Sequence, residues 1–446
     1  MKISLSEHFS YKKLLKFTFP SIMMMIFLSI YSVVDGYFVS NYVGKTPFAA
    51  LNLIWPFIML CGALGFMVGT GGSALISRVR GEGDLEKANQ IFSLLIYVTI
   101  GLGIVIAAVG FVFIRPIAVF LGADAQMLDY CVLYGRTLLC SLVAFMLQNV
   151  FQSFLITAER PDFGLRITIA AGVTNMILDA LFVAVFRWGL LGAAVATAMS
   201  QVVGGLVPLF YFVFPNKSPF RLGKTKFDGK ALLKTFTNGS SEFVTNISLS
   251  VVGMLYNYTL LQIAGEDGLS AYGILMYVGF IFIAVFLGYT IGTAPIVSFH
   301  YGAADWEELK NLNKKSLRLI AVFSVTLTAL GMALARPLSW LFASYDETLL
   351  NMTIHAMILY ATCYLLSGFN IYASSFFTAL NDGATSAAIS FLRTFVFQAA
   401  AVLLVPRVLP PRYQLDGIWL ACTAAELVSL VISVSFLLGK RKKYHY

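Results

Sequence analysis

The nonapeptide VGKTPFAAL (residues 43–51) has a diverged second copy, AGEDGLSAY (264–272), and the register that superimposes the two decides how this chain is built. Placing Gly44 on Gly265 fixes a shift of 221 residues. The same shift pairs Gly71 with Gly292, Ser77 with Ser298, Gly81 with Gly302 and Asp84 with Asp305. It goes on to pair Arg115-Pro116 with Arg336-Pro337, Asn149 with Asn370 and Thr157-Ala158 with Thr378-Ala379. Farther along the shift becomes 225, which pairs Gly192 with Gly417, Ala196 with Ala421 and Gln201 with Glu426. A register held over so long a stretch marks an internal duplication.

The duplicated material is apolar. Of 446 residues, 59% are hydrophobic and 12% charged, with a mean hydropathy of +0.81, where soluble domains carry about 25% charged residues. This is an integral membrane protein with no room for a sizeable soluble domain. Apolar runs bounded by charges and turn-forming residues predict twelve spans. They are 14–39, 47–76, 91–113, 127–157, 163–186, 190–214, 236–262, 268–298, 316–341, 350–380, 385–408 and 415–439. Each repeat holds six, an even number, so both halves enter the membrane from the same side. The expected fold is all-α, twelve transmembrane helices in two parallel six-helix repeats. Residues 1–215 form the first, 231–446 the second, and the polar stretch NKSPFRLGKTKFDGK (216–230) links them. Carriers on this plan hold their substrate between the halves and rock one against the other.

The basic N-terminus MKISLSEHFSYKKLLKF precedes a long apolar run without a small-residue cleavage site, so it is read as a retained first helix. With both termini inside, 24 of the 31 Lys and Arg residues, Lys2 and Arg393 among them, fall on inner segments, and seven, including Lys45, on outer ones. That bias predicts cytoplasmic termini. It also accounts for the net charge of +9 as topology and contact with anionic lipid, not as a nucleic-acid footprint. Cys61, Cys131, Cys140, Cys363 and Cys422 lack metal-type spacing and are read as small core residues.

Ionisable groups deep in a span cost roughly 2.5–3.5 kcal/mol on insertion scales and mark function. Asp35 interrupts SIYSVVDGYFVSNYV (29–43) in span 1, and Asn175 and Asp179 share one face of span 5. Thr197 lies in span 6. Counted from the outer ends of their spans, Asp35, Asp179 and Thr197 sit at one level, roughly 10–12 Å deep at about 1.5 Å per residue. This oxygen-rich set suits Na⁺, and its paired carboxylates equally suit protons. The second half differs, since Asp35 corresponds to Tyr256. Glu242, roughly 10 Å from the inner face, is a candidate gate or partner for a cationic substrate. Asn149, Gln152, Asn370 and Glu426 are further candidates for lining a central cavity. Met-rich SIMMMIF (21–27) reads as helix packing, and Gly-rich 62–77 as close helix approach.

These stretches resemble the multidrug and toxic compound extrusion (MATE) transporters, in the branch that contains the bacterial DinF-like and MepA-like proteins. The resemblance covers essentially the whole chain. It rests on VVDGYFVSNYVG, GTGGSALISRVRGEGDLEKAN, NMILDALFV, GLLGAAVATAMSQ and SSEFVTNISLSVVGMLYN, in that order. It implies an antiporter of the bacterial inner membrane, in contact with lipid, and nothing in the sequence demands more than one chain, so a monomer is expected. Such a protein exports cationic or amphipathic drug-like compounds against H⁺ or Na⁺ and needs no cofactor. It further implies that Asp35, Asn175, Asp179 and Thr197 take part in cation coupling, while members differ over a span 7 carboxylate such as Glu242. A lipid-linked oligosaccharide flippase of the same superfamily stays open as an alternative, although a pyrophosphate substrate calls for several buried Arg or Lys. A sugar carrier of the major facilitator type lacks its loop signature in SRVRGEGDLEKAN. A membrane-embedded enzyme finds no support in four dispersed histidines without H-E-x-x-H or G-x-S-x-G.

Overall fold

A computed structural model describes residues 3–344 and 346–446. Lys2, counted above, lies outside the described residues, as do the side chains of Ser32, Tyr37, Ser40, Asn41 and Lys45. The first half contains α1 (Tyr11–Tyr42), α2 (Lys45–Gly81), α3 (Leu85–Phe120), α4 (Leu128–Cys140), α5 (Leu142–Thr157), α6 (Pro161–Asp179) and α7 (Gly189–Val213). The second contains α8 (Gly229–Gly302), α9 (Trp306–Ala333), α10 (Ala335–Ala343), α11 (Glu347–Ala361), α12 (Tyr364–Ala379), α13 (Gly383–Phe391), α14 (Gln398–Val408) and α15 (Gln414–Tyr444).

Nine described helices are long and apolar enough to cross a membrane, and two bent pairs, α4–α5 and α11–α12, add a span each. One of the nine, α8, runs for 74 residues, about 110 Å of helix. Gly265 breaks it with φ 61° and ψ −148°, so it holds two spans and the total is the twelve expected.

The duplication is visible as local geometry. Gly44 (φ 98°) and Gly265 (φ 61°) make equivalent turns at one end of the bundle, and Gly83 (φ 92°) and Ala304 (φ 54°), again 221 apart, make equivalent turns at the other. Asp84 caps α3 by accepting the Lys87 N–H, and Asp305 caps α9 by accepting the Glu308 N–H. The bends match too, 57° near Ser141 and 48° near Thr362. Each cap satisfies backbone donors that a helix start leaves free, so paired aspartates start paired helices. Four of the five cysteines are buried as expected, whereas Cys140 is exposed at the α4–α5 bend.

The two halves meet backbone to backbone at the end of the bundle that carries both termini. A side chain at Gly81 would collide with the Phe299 carbonyl, and one at Gly302 with the Arg78 carbonyl, contacts that the repeat exchanges. Gly71 lies against Thr235 and Gly239, and Gly292 against Thr18, a second exchanged pair. Polar bridges add to the seam. Asn381 Nδ2 of the second half donates to the Ala74 carbonyl of the first (3.3 Å), and Asn238, also of the second half, holds Asn381 there by donating its Nδ2 N–H to Asn381 Oδ1 (2.9 Å). The segment before α1 lies across both halves. Leu5 N–H and Ser4 Oγ donate to Glu159 Oε1 (3.0 and 2.9 Å), beside Arg80 (2.6 Å), while Phe9 N–H donates to Glu308 Oε1 (2.9 Å).

Replacing Gly239 by leucine is expected to wedge the halves apart at this end, because the Met67 carbonyl occupies the space its Cβ would take. Distances between spin labels on Arg78 and Phe299 positions should lengthen; an unchanged distribution would show that the contact is not needed for closure.

Burial pushes the Glu159 carboxyl up, but Arg80, the Leu5 N–H and Ser4 together outweigh it and hold it below its ordinary 4.5. A depressed carboxyl stabilises the fold above its unfolded value and loses that contribution as pH falls through the folded one. Melting temperature should therefore drop below about pH 4.5. Glu159→Gln should flatten that drop, at a cost of about 3 kcal/mol near neutrality.

Candidate functional site

The site in the first half begins with a close approach. Gly172 of α6 offers no side chain, so Phe27 and Tyr31 of α1 lie against it, which carries Asp35, one turn beyond Tyr31, toward the C-terminal part of α6. There α6 presents Asn175 and, one turn later, Asp179, after which the helix widens into a π-helical turn, Ala180–Val185. Such turns recur at functional sites because they re-aim side chains without ending the helix.

Asp35 stands beside both Asp179 and Asn175. Thr197 of α7 reaches the same place through Tyr134 of α4, whose hydroxyl stands beside it and which feels both carboxylates. Asp179 is fully buried, Asn175 is 1% exposed, and Asp35 is half-buried. The structure thus brings together the four residues singled out from the sequence and adds Tyr31 and Tyr134. Neither tyrosine carried a sequence signal, since a tyrosine in an apolar run reads as packing.

The hydrogen-bond inventory of this cluster is lopsided. Asp35 Oδ1, Asn175 Oδ1 and both Asp179 oxygens are sealed from solvent with no donor among the described residues. Carboxylates accept and do not donate, and an unpaired buried acceptor is costly. A cation or a proton relieves that cost. Among the described residues no three His, Cys, Asp or Glu side chains group as a metal site, so a bound Na⁺ would draw on Asn175 and Thr197 as well as the two carboxylates, as a transported ion and not a resident one.

The second half carries charge that is already paired. Arg393, counted above with the inner segments, sits instead inside a span, in a second π-helical turn (Leu392–Phe397), and grips Glu426 of α15. Its Nε lies 2.9 and 3.1 Å from the two Glu426 oxygens. Asn370 Nδ2 donates to Glu426 Oε2 at 2.6 Å. Asn370 and Glu426 are therefore committed to each other inside the second half. Asn149 likewise donates to the Gly62 carbonyl within the first. These three fill bundle interiors, because a buried amide or carboxylate takes the nearest complementary group. Gln152 lines a narrow cavity with Gln148, Thr168 and Met24, and its Oε1 has no partner among the described residues.

Glu242 faces Arg393 electrostatically. It lies thirteen residues into α8, about 20 Å along the helix from its start, because α8 begins two turns before its apolar run. A surface depression of about 880 Å³ lies elsewhere, between α3 and the linker beside Lys87, Lys226 and Lys230.

Acceptor-rich clusters inside a duplicated helical bundle, with no reacting constellation beside them, are the architecture of a membrane carrier. The MatE family model matches residues 20–181 and 243–403, one match in each half. The chain belongs to the MATE family, whose members are secondary transporters and not enzymes. Multidrug export protein MepA of Staphylococcus saprophyticus is 24% identical over 421 residues, covering 94% of this chain and 91% of that protein. MepA of Staphylococcus aureus strain MW2 is 23% identical over 434 residues, 97% and 94% of the two chains. A solved MATE-family transporter of the MOP superfamily, in an outward-facing conformation, superimposes with a TM-score of 0.90 at 22% identity over 98% of this chain and 96% of that one. A crystal structure of MATE in complex with MaL6 gives 0.89 at 21%, over 98% and 97%.

Asp179→Asn is expected to leave the resting protein at least as stable as wild type, by up to about 1 kcal/mol more, since it replaces an unpartnered carboxylate with a neutral amide. A melting temperature that falls by several degrees would mean that Asp179 holds the fold by a structural hydrogen bond.

Proposed function

We propose that this protein is a cation-coupled efflux antiporter, exporting cationic or amphipathic organic compounds across the bacterial cytoplasmic membrane in exchange for H⁺ or Na⁺. The single observation that carries the reading is the set of unpartnered acceptors on Asp35, Asn175 and Asp179. In a resident structural site these atoms would have donors. In a coupling site they wait for a transported cation.

The two halves, taken as residues 1–215 and 231–446 joined by 216–230, act as rocking bodies. With both termini in the cytoplasm, the sealed end of the bundle is the inner one. A cation entering from outside is shared by Asp35 and Asp179, cancelling one negative charge of the pair, and its differential affinity for the two conformations biases the exchange. Returning with the cation opens the inner end and delivers the ion inward. The membrane potential assists by about 2.3 kcal/mol per charge per 100 mV. The curated MepA relatives, named for multidrug export, support the substrate class. A lipid-linked pyrophosphate is disfavoured, because Arg393, the buried cation of the second half, is already matched to Glu426. The protein is expected to work as a monomer.

The test is efflux of a fluorescent organic cation from proteoliposomes under an imposed Na⁺ gradient or an imposed pH gradient. One gradient should drive wild type, and Asp35→Asn should lose at least about tenfold of the driven rate, the span of one charged interaction. Full cation-driven transport by the variant would sink the coupling role of Asp35.

A further inference from the structure

The helices that open the two halves begin alike. A shift of 218 residues lays HFSYKKLLK (8–16) on KFDGKALLK (226–234), pairing Phe9 with Phe227, Lys12 with Lys230, Leu14 with Leu232 and Leu15 with Leu233. Ser10 caps α1 and Asp228 caps α8 from the same place in that register. Each opening segment lies against the other half. Phe9 meets the start of α9, whereas the end of the linker meets the start of α3, and those two helix starts are themselves repeats, capped by Asp305 and Asp84. The duplication thus made two copies of one seat.

The copies are filled differently. At α9, Phe9 is fully buried in one core with Leu309 and Leu312, its N–H donates to Glu308 Oε1 (2.9 Å), and Lys315 Nζ donates to its carbonyl (2.6 Å). At α3, Phe227 is 82% exposed and Leu233 66%, and the depression of about 880 Å³ opens beside them over Ile91 and Leu94. Lys87 stands where the second copy has Glu308. Lys226 and Lys230 line the same depression, and none of the three ammonium groups makes a hydrogen bond or ion pair among the described residues. The neighbouring carboxylates are turned to other donors. Asp84 accepts the Lys87 N–H, Asp228 the Lys230 and Ala231 N–H groups, and Glu86 the Gln90 side-chain amide. One copy of the seat is plugged by the chain itself; the other is open and basic.

We propose that the open seat between α3 and the linker binds an anionic phospholipid of the surrounding leaflet, its phosphate between Lys87, Lys226 and Lys230 and an acyl chain over Ile91, Leu94 and Leu233. Lysines near a bilayer surface attract anionic headgroups, and the apolar lining gives the chain a place that a bare anion leaves empty. The seat also continues into lipid-facing surface. Residues three and four apart share a helix face, so Leu94, Tyr97, Gly101 and Ile104 form one stripe along α3, with Tyr97 and Ile104 exposed and open space over Gly101. The linker upstream is already held on α3, where the Gly223 N–H donates to Ser93 Oγ (3.2 Å) and Thr225 Oγ1 to the Gln90 carbonyl (2.8 Å). A headgroup bridging Lys87 to Lys226 and Lys230 extends that dock to the start of α8, as Phe9 and Glu308 dock the start of α1. The proposal is independent of the transport reading.

The probes are dioleoyl phosphatidylglycerol and dioleoyl phosphatidylcholine, which share their chains and differ in headgroup charge. Affinity for each is read by native mass spectrometry of the full chain titrated with lipid in detergent, and the place of binding by hydrogen exchange of residues 224–232 in nanodiscs of either lipid. The main variant is Lys87→Gln/Lys226→Gln/Lys230→Gln, all three exposed, so the fold is not at stake. Its control, Lys12→Gln/Lys310→Gln/Lys314→Gln, removes the same charge from exposed positions around the plugged seat. Wild type should prefer phosphatidylglycerol by at least about tenfold, the main variant should lose that preference, and the control should keep it within about twofold. Phosphatidylglycerol should slow exchange at 224–232 in wild type and in the control, and not in the main variant. Equal affinity for the two lipids in wild type, an equal loss in variant and control, exchange at 224–232 indifferent to the headgroup, or displacement of phosphatidylglycerol by millimolar inorganic phosphate overturns the proposal.

Discussion

Two halves of one chain touch backbone to backbone at Gly81 with Phe299 and Gly302 with Arg78, and much of the molecule follows from that contact. Glycine on both sides of a pseudo-twofold seam permits approach closer than any side chain allows. The contact is self-complementary because the repeat exchanges its members. It closes one end of the bundle by direct backbone approach. The segment before α1, gripped by Glu159 on one side and Glu308 on the other, crosses the same seam.

On this symmetric frame the chemistry is asymmetric. In the first half Asp35, Asn175 and Asp179 collect acceptors without donors. In the second, Tyr256 stands where Asp35 would be, and its hydroxyl donates to Gln398 (3.3 Å). Gln201, which accepts from Ser141 at 2.6 Å, becomes Glu426, which needs a cation and has one in Arg393. Duplication therefore supplied matching helix ends, turns and bends. Divergence left one half with buried acceptors that lack donors among the described residues and the other with its buried charges paired.

Within the membrane, electrostatics decides what each polar residue can be. An amide that finds a carbonyl, as Asn149 does at 3.1 Å from Gly62, is finished as structure. An unpartnered carboxylate is not, because the surrounding hydrocarbon offers no water to complete it. The difference between the two is a matter of neighbours, not of residue type, which is why Asn149, Asn370 and Glu426 read as cavity candidates in the sequence and proved to be bundle interior.

Periodicity and duplication were legible in the sequence because they are local or repeated. Apolar run length sets the spans, the 221-residue shift sets the parallel repeat, and capping aspartates and glycines set the turns. Depth along a helix was legible too, and it grouped Asp35, Asp179 and Thr197 before any coordinates. Three things were not. Tyr31 and Tyr134 join the site only through packing between distant helices. The start of α8, two turns ahead of its apolar run and of Glu242, was hidden because a helix continues into polar sequence when its backbone bonds and an Asp228 cap sustain it. Arg393 sat in the apolar run SAAISFLRTFVFQAA and was counted with a basic loop, since one charge in a sequence does not declare its partner. The sequence determines which groups are buried, by the cost of exposing apolar surface; only the tertiary structure decides which buried groups find a counter-charge and which are left waiting for one, because that depends on distances between helices that are remote along the chain.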